Sequence, residues 1–189
     1  MKIVVIDNYD SFVYNLVHYL KELDTEVTVF RNDKFEFSDL ETFDKILLSP
    51  GPGIPEEAGL LKPLIEAYKG KKPIFGVCLG QQAIGEVFGG TIHNLDTVFH
   101  GVATKATILQ PDEPLFKGLP SEIEIGRYHS WVINRENFPA ELTITSVDEN
   151  NQIMAIRHNA YDICGVQFHP ESVLTPNGKQ IIKNWIESE

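Results

Sequence analysis

The chain has only two cysteines, Cys78 and Cys164, so neither a disulfide framework nor a four-cysteine zinc site can be built. A reducing, cytoplasmic location is the corresponding expectation. Long hydrophobic runs are also missing. The apolar opening KIVVI (2–6) meets Asp7 at once, which is too short for a signal peptide or a membrane span. Basic residues are few and scattered: 16 Lys and Arg against 27 Asp and Glu give a formal net charge of −11. With no basic stripe to neutralise phosphates, nucleic acid and anionic membrane are not expected partners. There is no HExxH, CxxC or calcium-loop pattern, and no metal site is expected. Internal repeats, low-complexity segments and long linkers are absent as well, so residues 1–189 are expected to form a single domain.

The sequence does contain alternating elements with turn residues between them. KIVVI (2–6), EVTVF (26–30), KILLS (45–49) and PIFGV (73–77) have strand length and composition. Helical spacing covers Phe12 to Leu23, with Ser11 as its expected N-cap, and further helices are expected near 57–69 and 79–88. This succession implies right-handed crossovers and a parallel sheet covered on both faces. Beyond residue 90, ATKATIL (103–109), EIEIGRYHSWVI (122–133), LTITSV (142–147), IMAIRH (153–158) and DICGVQF (162–168) read as strands with short turns. They predict a mixed or antiparallel extension, closed by a helix near 176–187. The expected fold class is α/β, an open and mostly parallel sheet with helices on both faces.

In such sheets, reactive loops lie beyond the carboxyl ends of the strands. Cys78 occupies such a place, in GVCLGQQAIG (76–85). Glycines on either side suit a sharp, strained strand-to-helix turn, the thiol counterpart of the hydrolase nucleophile elbow. The helix start would favour thiolate over thiol, and its free N–H groups, beginning with that of Leu79, would face a developing oxyanion. The alternative is that Cys78 is a small buried hydrophobe. A thiol nucleophile needs a base, and His169 follows a strand and precedes Pro170, with Glu171 placed to orient its ring. His18, inside the first helix, and His158, at an expected solvent-facing strand end, have no such setting. Strand alternation turns Cys164 away from the face of His169, so it is expected to be packed. SPGPGIP (49–55) forms a stiff loop whose Gly51, Pro52 and Gly53 could present backbone donors. No Gly-Lys-Ser/Thr follows it, which excludes a phosphate-binding P-loop.

Together GVCLGQQAIG, SPGPG and GVQFHPES resemble the class I, triad-type glutamine amidotransferases, across essentially the whole chain. DNYDSFVYNL and RYHS narrow the resemblance to the small subunits of anthranilate synthase and aminodeoxychorismate synthase. The resemblance implies a flavodoxin-like domain that hydrolyses L-glutamine and passes ammonia to a large chorismate-binding synthase subunit. It implies Cys78 as nucleophile, His169 as base and then acid, and Glu171 as its orienting group. Leu79 and the Gly51–Gly53 loop would supply oxyanion donors. Gln82, with the backbone around Ser130 and Trp131, would hold the α-amino and carboxylate groups of the substrate. No cofactor is implied for this subunit, and the synthase partner is expected to use Mg. The partner face is expected at the carboxyl edge of the sheet, with Asn8, Tyr9, Asp10 and Ser11 at or near the contact.

Three positions depart from the family pattern. Gln81 stands where the family usually has His, outside the triad. Val102 and Trp131 replace residues that are commonly smaller or polar, which bears on substrate fit or the partner surface. The rival enzyme reading is the glutaminase of another triad amidotransferase, such as GMP synthetase, against which DNYDSF argues. The small subunit of carbamoyl-phosphate synthetase would carry an extra N-terminal domain. A binding module with a dead site is the reading from another class, and intact Cys78, His169 and Glu171 argue against it.

Overall fold

The computed structural model describes residues 1–189. Its first half runs β1 (Lys2–Asp7), α1 (Val13–Glu22), β2 (Glu26–Arg31), β3 (Lys45–Leu48), α2 (Leu61–Tyr68), β4 (Ile74–Val77) and α3 (Leu79–Val87). The second half runs β5 (Ile92–Asn94), β6 (Val102–Ile108), β7 (Glu122–Arg127), β8 (Trp131–Ile133), β9 (Leu142–Asp148), β10 (Ile153–His158), β11 (Ile163–Val166) and α4 (Gly178–Glu187). Nine strands form one sheet in the order β2-β1-β3-β4-β11-β10-β9-β6-β7, and β5 pairs with β8 separately. The pairings from β2 across to β11 are parallel, and those from β11 to β7 are antiparallel. No helix is long and apolar enough to cross a membrane.

The central strands are buried on both faces, which is why they carry continuous apolar runs. Ile3, Val5, Leu47 and Phe75 pack on one side with Leu16 and Leu20 of α1 and Ile181 and Trp185 of α4. Val4, Ile6, Ile46 and Leu48 pack on the other with Leu64 and Ile65 of α2 and Ala83 and Ile84 of α3. Each fully buried aliphatic side chain contributes about 1.5–3 kcal/mol relative to exposure. Lys45 is a buried exception on β3. Its Nζ donates to the carbonyls of Trp185 (2.7 Å) and Ser188 (2.8 Å), tying down the C-terminal end of α4.

Several local expectations need correction. Ser11 does not cap α1: the N-cap position is Phe12, and the amide of Phe12 is taken by Asp10 Oδ2 at 2.9 Å. The helix expected over 57–69 shortens to Leu61–Tyr68, because Pro55 opens a separate short 3-10 turn, Pro55–Glu57. The stretch 122–133 is two strands, not one. The chain leaves β7 at Arg127, and β8 resumes at Trp131 to pair with β5. His158 is not solvent-facing. It is buried, with its ring 4.6 Å from Phe88 and stacked 4.4 Å from Tyr161, and its Nδ1 accepts the amides of Ala160 and Tyr161.

Candidate active site

Cys78 follows β4 directly and precedes α3, with φ 54° and ψ −102°. A non-glycine residue held there stores about 1–3 kcal/mol of backbone strain. The turn is pinned from both sides. The Cys78 amide donates to the Val166 carbonyl at 2.8 Å, and its carbonyl accepts the Gln82 amide at 3.1 Å. The flanking glycines act differently from the sequence expectation: neither Gly76 nor Gly80 adopts a positive φ, and the strain lies on Cys78 itself. What they supply is proximity. A Cβ on Gly76 would lie 2.5 Å from the Gly80 carbonyl carbon, and one on Gly80 would lie 2.7 Å from the Leu48 oxygen. The glycines let α3 settle directly on β3 and β4, with its N-terminus at the thiol.

β11 lies beside β4 in register, Val166 opposite Val77, so the segment after β11 emerges next to Cys78. There His169 Nδ1 meets Glu171 Oε1 at 2.6 Å, and both residues are buried. The backbone of His169 is fixed to β7: its amide donates to the Gly126 carbonyl at 3.0 Å, and its own carbonyl accepts Thr175 Oγ1 at 2.7 Å. The Tyr128 ring stands edge-on to the imidazole at 4.8 Å. Burial is the largest single influence on His169 and opposes a charged ring. The Cys78 thiol and then the Glu171 carboxylate outweigh it and hold the imidazole well above the ordinary histidine value. Nε2 of His169 makes no hydrogen bond. Cys164 is fully buried in the core with Trp185, and burial pushes its thiol up to about 12, which leaves it inert.

A cleft of about 280 Å³ opens over Cys78, and Gly51, Pro52, Gly53, Gln82, Ser130 and Trp131 all line it. The loop after β3 is held by Asn8, whose amide nitrogen donates to the Ser49 carbonyl at 2.7 Å while its oxygen accepts Asn32 Nδ2 at 3.0 Å. Gly51 packs so closely on this residue that a Cβ would lie 2.6 Å from both Asn8 Cβ and the Asn8 backbone oxygen. Asn8, expected at or near the partner contact, is buried and acts as an internal brace. Leu79 is buried at the start of α3 and does not itself line the cleft. Tyr9 is 46% exposed at φ 62°, and Ser11 is exposed. Asp10 is half-buried, its carboxyl raised chiefly by burial, within electrostatic reach of His169 and Glu171.

Sequence reasoning missed several residues at and behind the cleft. Gln167 is fully buried, and its Nε2 donates to Cys78 Sγ at 3.4 Å. Gln82 Nε2 donates to both the Trp131 carbonyl (2.9 Å) and Gln167 Oε1 (3.1 Å). The available signal was alternation along DICGVQF, which places Gln167 opposite Cys164 and on the side of α3. Phe99 and His100 also line the cleft, and no pattern in the sequence marks them.

The family model "Glutamine amidotransferase class-I" matches residues 4–188. The chain is 45% identical over 189 residues to the aminodeoxychorismate/anthranilate synthase component 2 of Bacillus subtilis, covering 98% of this chain and 96% of that protein. It is 42% identical over 186 residues to the aminodeoxychorismate synthase component 2 of Escherichia coli, covering 97% and 98%. Among solved structures, one described as a GMP synthase protein from Thermoplasma acidophilum superposes with a TM-score of 0.89 at 30% identity, covering 98% of this chain and 92% of that one.

Proposed function

This chain belongs to the class-I glutamine amidotransferase family, and on that premise we propose that it is a glutaminase that works through Cys78, His169 and Glu171 as a triad. The single observation that carries the reading is a juxtaposition beside the cleft. A strained cysteine opens a helix, with an imidazole–carboxylate pair buried beside it.

With His169 holding the proton, the sulfur beside it is free to attack the side-chain amide carbon of glutamine. A C–S bond forms and the carbonyl electrons move onto oxygen. The backbone N–H of Leu79 and those of the Gly51–Gly53 loop receive this oxyanion, each donor worth about 3 kcal/mol in comparable sites. His169 then passes its proton to the departing nitrogen, the C–N bond breaks, and ammonia leaves a γ-glutamyl thioester. Water, deprotonated by the same imidazole, attacks the thioester and releases glutamate and the thiolate. Glu171 keeps the Nε2 face of the ring towards the sulfur throughout. Gln82 and the backbone at Ser130 and Trp131 hold the α-amino and α-carboxylate groups.

Bulk water would protonate free ammonia before it could act as a nucleophile, so a partner must receive it directly. The relatives' names support a chorismate-using synthase subunit in that role, with anthranilate, 4-amino-4-deoxychorismate or both as product. Residues 1–189 then act as one cytoplasmic glutaminase domain. The test is a glutamate assay on the purified chain with glutamine. Slow hydrolysis alone, faster with a chorismate-binding synthase partner and faster again with chorismate, is the expected result. Full-speed hydrolysis by the lone chain, or stimulation only by an ATP-dependent GMP synthase partner, would overturn the partner assignment. No hydrolysis under any condition would overturn the activity.

A further inference from the structure

Behind the cleft wall lies a buried ion pair that takes no part in the chemistry above. Arg127 Nη1 donates to Asp148 Oδ2 at 2.7 Å, and both side chains are excluded from solvent. Arg127 Nε donates to His129 Nε2 at 3.1 Å, and His129 Nδ1 lies 2.9 Å from the Trp131 carbonyl. The Trp131 carbonyl also accepts Gln82 Nε2, which continues to Gln167 and the Cys78 sulfur. The same guanidinium lies 3.6 Å from the centroid of the Phe99 ring, which stacks on His129. The segment carrying Phe99 is laced to this wall. The amides of Leu95, Phe99 and Gly101 donate to the carbonyls of Ser130, His129 and Arg127.

We propose that Arg127 is the positioning residue of this cleft, setting the tautomer of His129 and, through the Trp131 carbonyl, the orientation of the Gln82 amide. A guanidinium is only ever a donor, so the ring nitrogen facing it must carry the lone pair. The proton of the neutral ring is thereby forced onto Nδ1 and aimed at the Trp131 carbonyl. That carbonyl has two lone pairs, and the second takes one hydrogen of Gln82 Nε2. The other hydrogen goes to Gln167 Oε1, so Gln82 Oε1 alone is left for a ligand. The cleft then presents an acceptor at this point, which suits the α-ammonium of an amino acid and disfavours an uncharged or anionic substituent. Burial, followed by the Arg127 charge, holds His129 down to about 3, so the relay stays neutral at physiological pH. The inference rests on reading the cleft as a glutamine site, but its first link is internal to the protein.

Two measurements test it. Nitrogen–proton correlation spectra of the intact chain should show His129 with its proton on Nδ1 and no titration between about pH 5 and 8. The second uses Arg127→Met combined with Asp148→Asn, which avoids leaving a lone buried carboxylate and keeps the oxygen that accepts the Asn150 and Gln152 amides. In this variant His129 should populate both tautomers, and the KM for glutamine should rise about tenfold or more, in the range seen when outer-shell partners are removed. Its kcat should stay within about threefold, because the group acts through substrate placement. A wild-type His129 protonated on Nε2, or a folded variant with unchanged KM, overturns the proposal. A wild-type chain that never hydrolyses glutamine overturns the glutaminase reading instead, and leaves the tautomer result to judge the relay.

Discussion

Gln167 donates to the sulfur of Cys78 at 3.4 Å, and both side chains are buried against α3. A hydrogen bond to an anionic sulfur is worth about 1.5–3 kcal/mol, so Gln167→Leu should lower kcat/KM about tenfold to a hundredfold. Glutamine titrations in a steady-state glutamate assay check this. A Gln167→Leu enzyme with wild-type kinetics would show that the contact is packing only.

Cys78→Ser should abolish glutamine hydrolysis with the fold intact, while Cys164→Ser keeps most activity, since burial holds that thiol at about 12. His169→Ala should approach the loss seen at Cys78. Glu171→Ala should cost less, because the carboxylate works through the ring it touches at 2.6 Å. A glutamine-mimicking diazoketone should label Cys78 alone, and mass-spectrometric mapping of the label to Cys164 would contradict the assignment.

The exposed part of the proposed partner edge consists of Tyr9 and Ser11 with half-buried Asp10, since Asn8 is an internal brace. Tyr9→Ala with Asp10→Ala should weaken binding of the synthase partner in a calorimetric titration and leave the melting temperature nearly unchanged. Asn8→Ala should instead lower stability, because it frees the buried Ser49 carbonyl and the Asn32 amide. Unaltered partner affinity in the double variant would move the contact elsewhere.

Gln81 is buried beside Gly165, and neither of its amide atoms has a partner. An unsatisfied buried amide costs about 1–3 kcal/mol, so the unbranched Gln81→Met should stabilise the chain by about 1 kcal/mol, raising Tm by about 2–4 °C. Differential scanning calorimetry decides it, and a fall in Tm would mean that the amide has a bonding partner in solution.

His129 sets a pH dependence with a definite sign. In the unfolded chain it takes a proton near 6.5, but in the folded chain only near 3. Its stabilising contribution is therefore complete above about pH 6.5 and is lost as pH falls towards 3, by at most about 1.4 kcal/mol per pH unit. Buried His158 is shifted in the same direction. His169, held high, works oppositely, and its contribution disappears as pH rises through its raised value. Urea denaturation at pH 7 and pH 5 should show a smaller acid-side loss in His129→Gln than in the wild type. Equal losses would remove His129 as the cause.

The parallel half of the fold was legible because both faces of its strands are covered, so KIVVI and KILL are apolar without interruption. The shared position of Cys78 and His169 was legible because carboxyl ends of strands are where side chains reach a common edge. The break at Tyr128–Ser130 was not. EIEIGRYHSWVI keeps strand-like composition throughout, and only the tertiary pairing of β8 with β5 bends the chain away. His158 misled because a histidine at a strand end reads as polar, whereas Phe88 and Tyr161 enclose it from both sides. Ser11 is not the cap because the helix begins one residue later, with Phe12 at the N-cap position and no side-chain cap bond, while Asp10 closes the turn before it on the Phe12 amide.

The placement of β11 between β4 and β10 has a consequence for how the molecule is made. Strands β1 to β4 leave the ribosome early and can pair among themselves, but β4 keeps an open edge until Val166 has been synthesised. During that interval the nascent chain presents an unpaired hydrophobic strand and a thiol with no base beside it. On the proposed mechanism, competence for attack would arrive with the closing of the sheet, and a chain stalled or cleaved before His169 would lack its base. Insertion of that late central strand would then restrict the proposed ammonia release to molecules translated almost as far as His169.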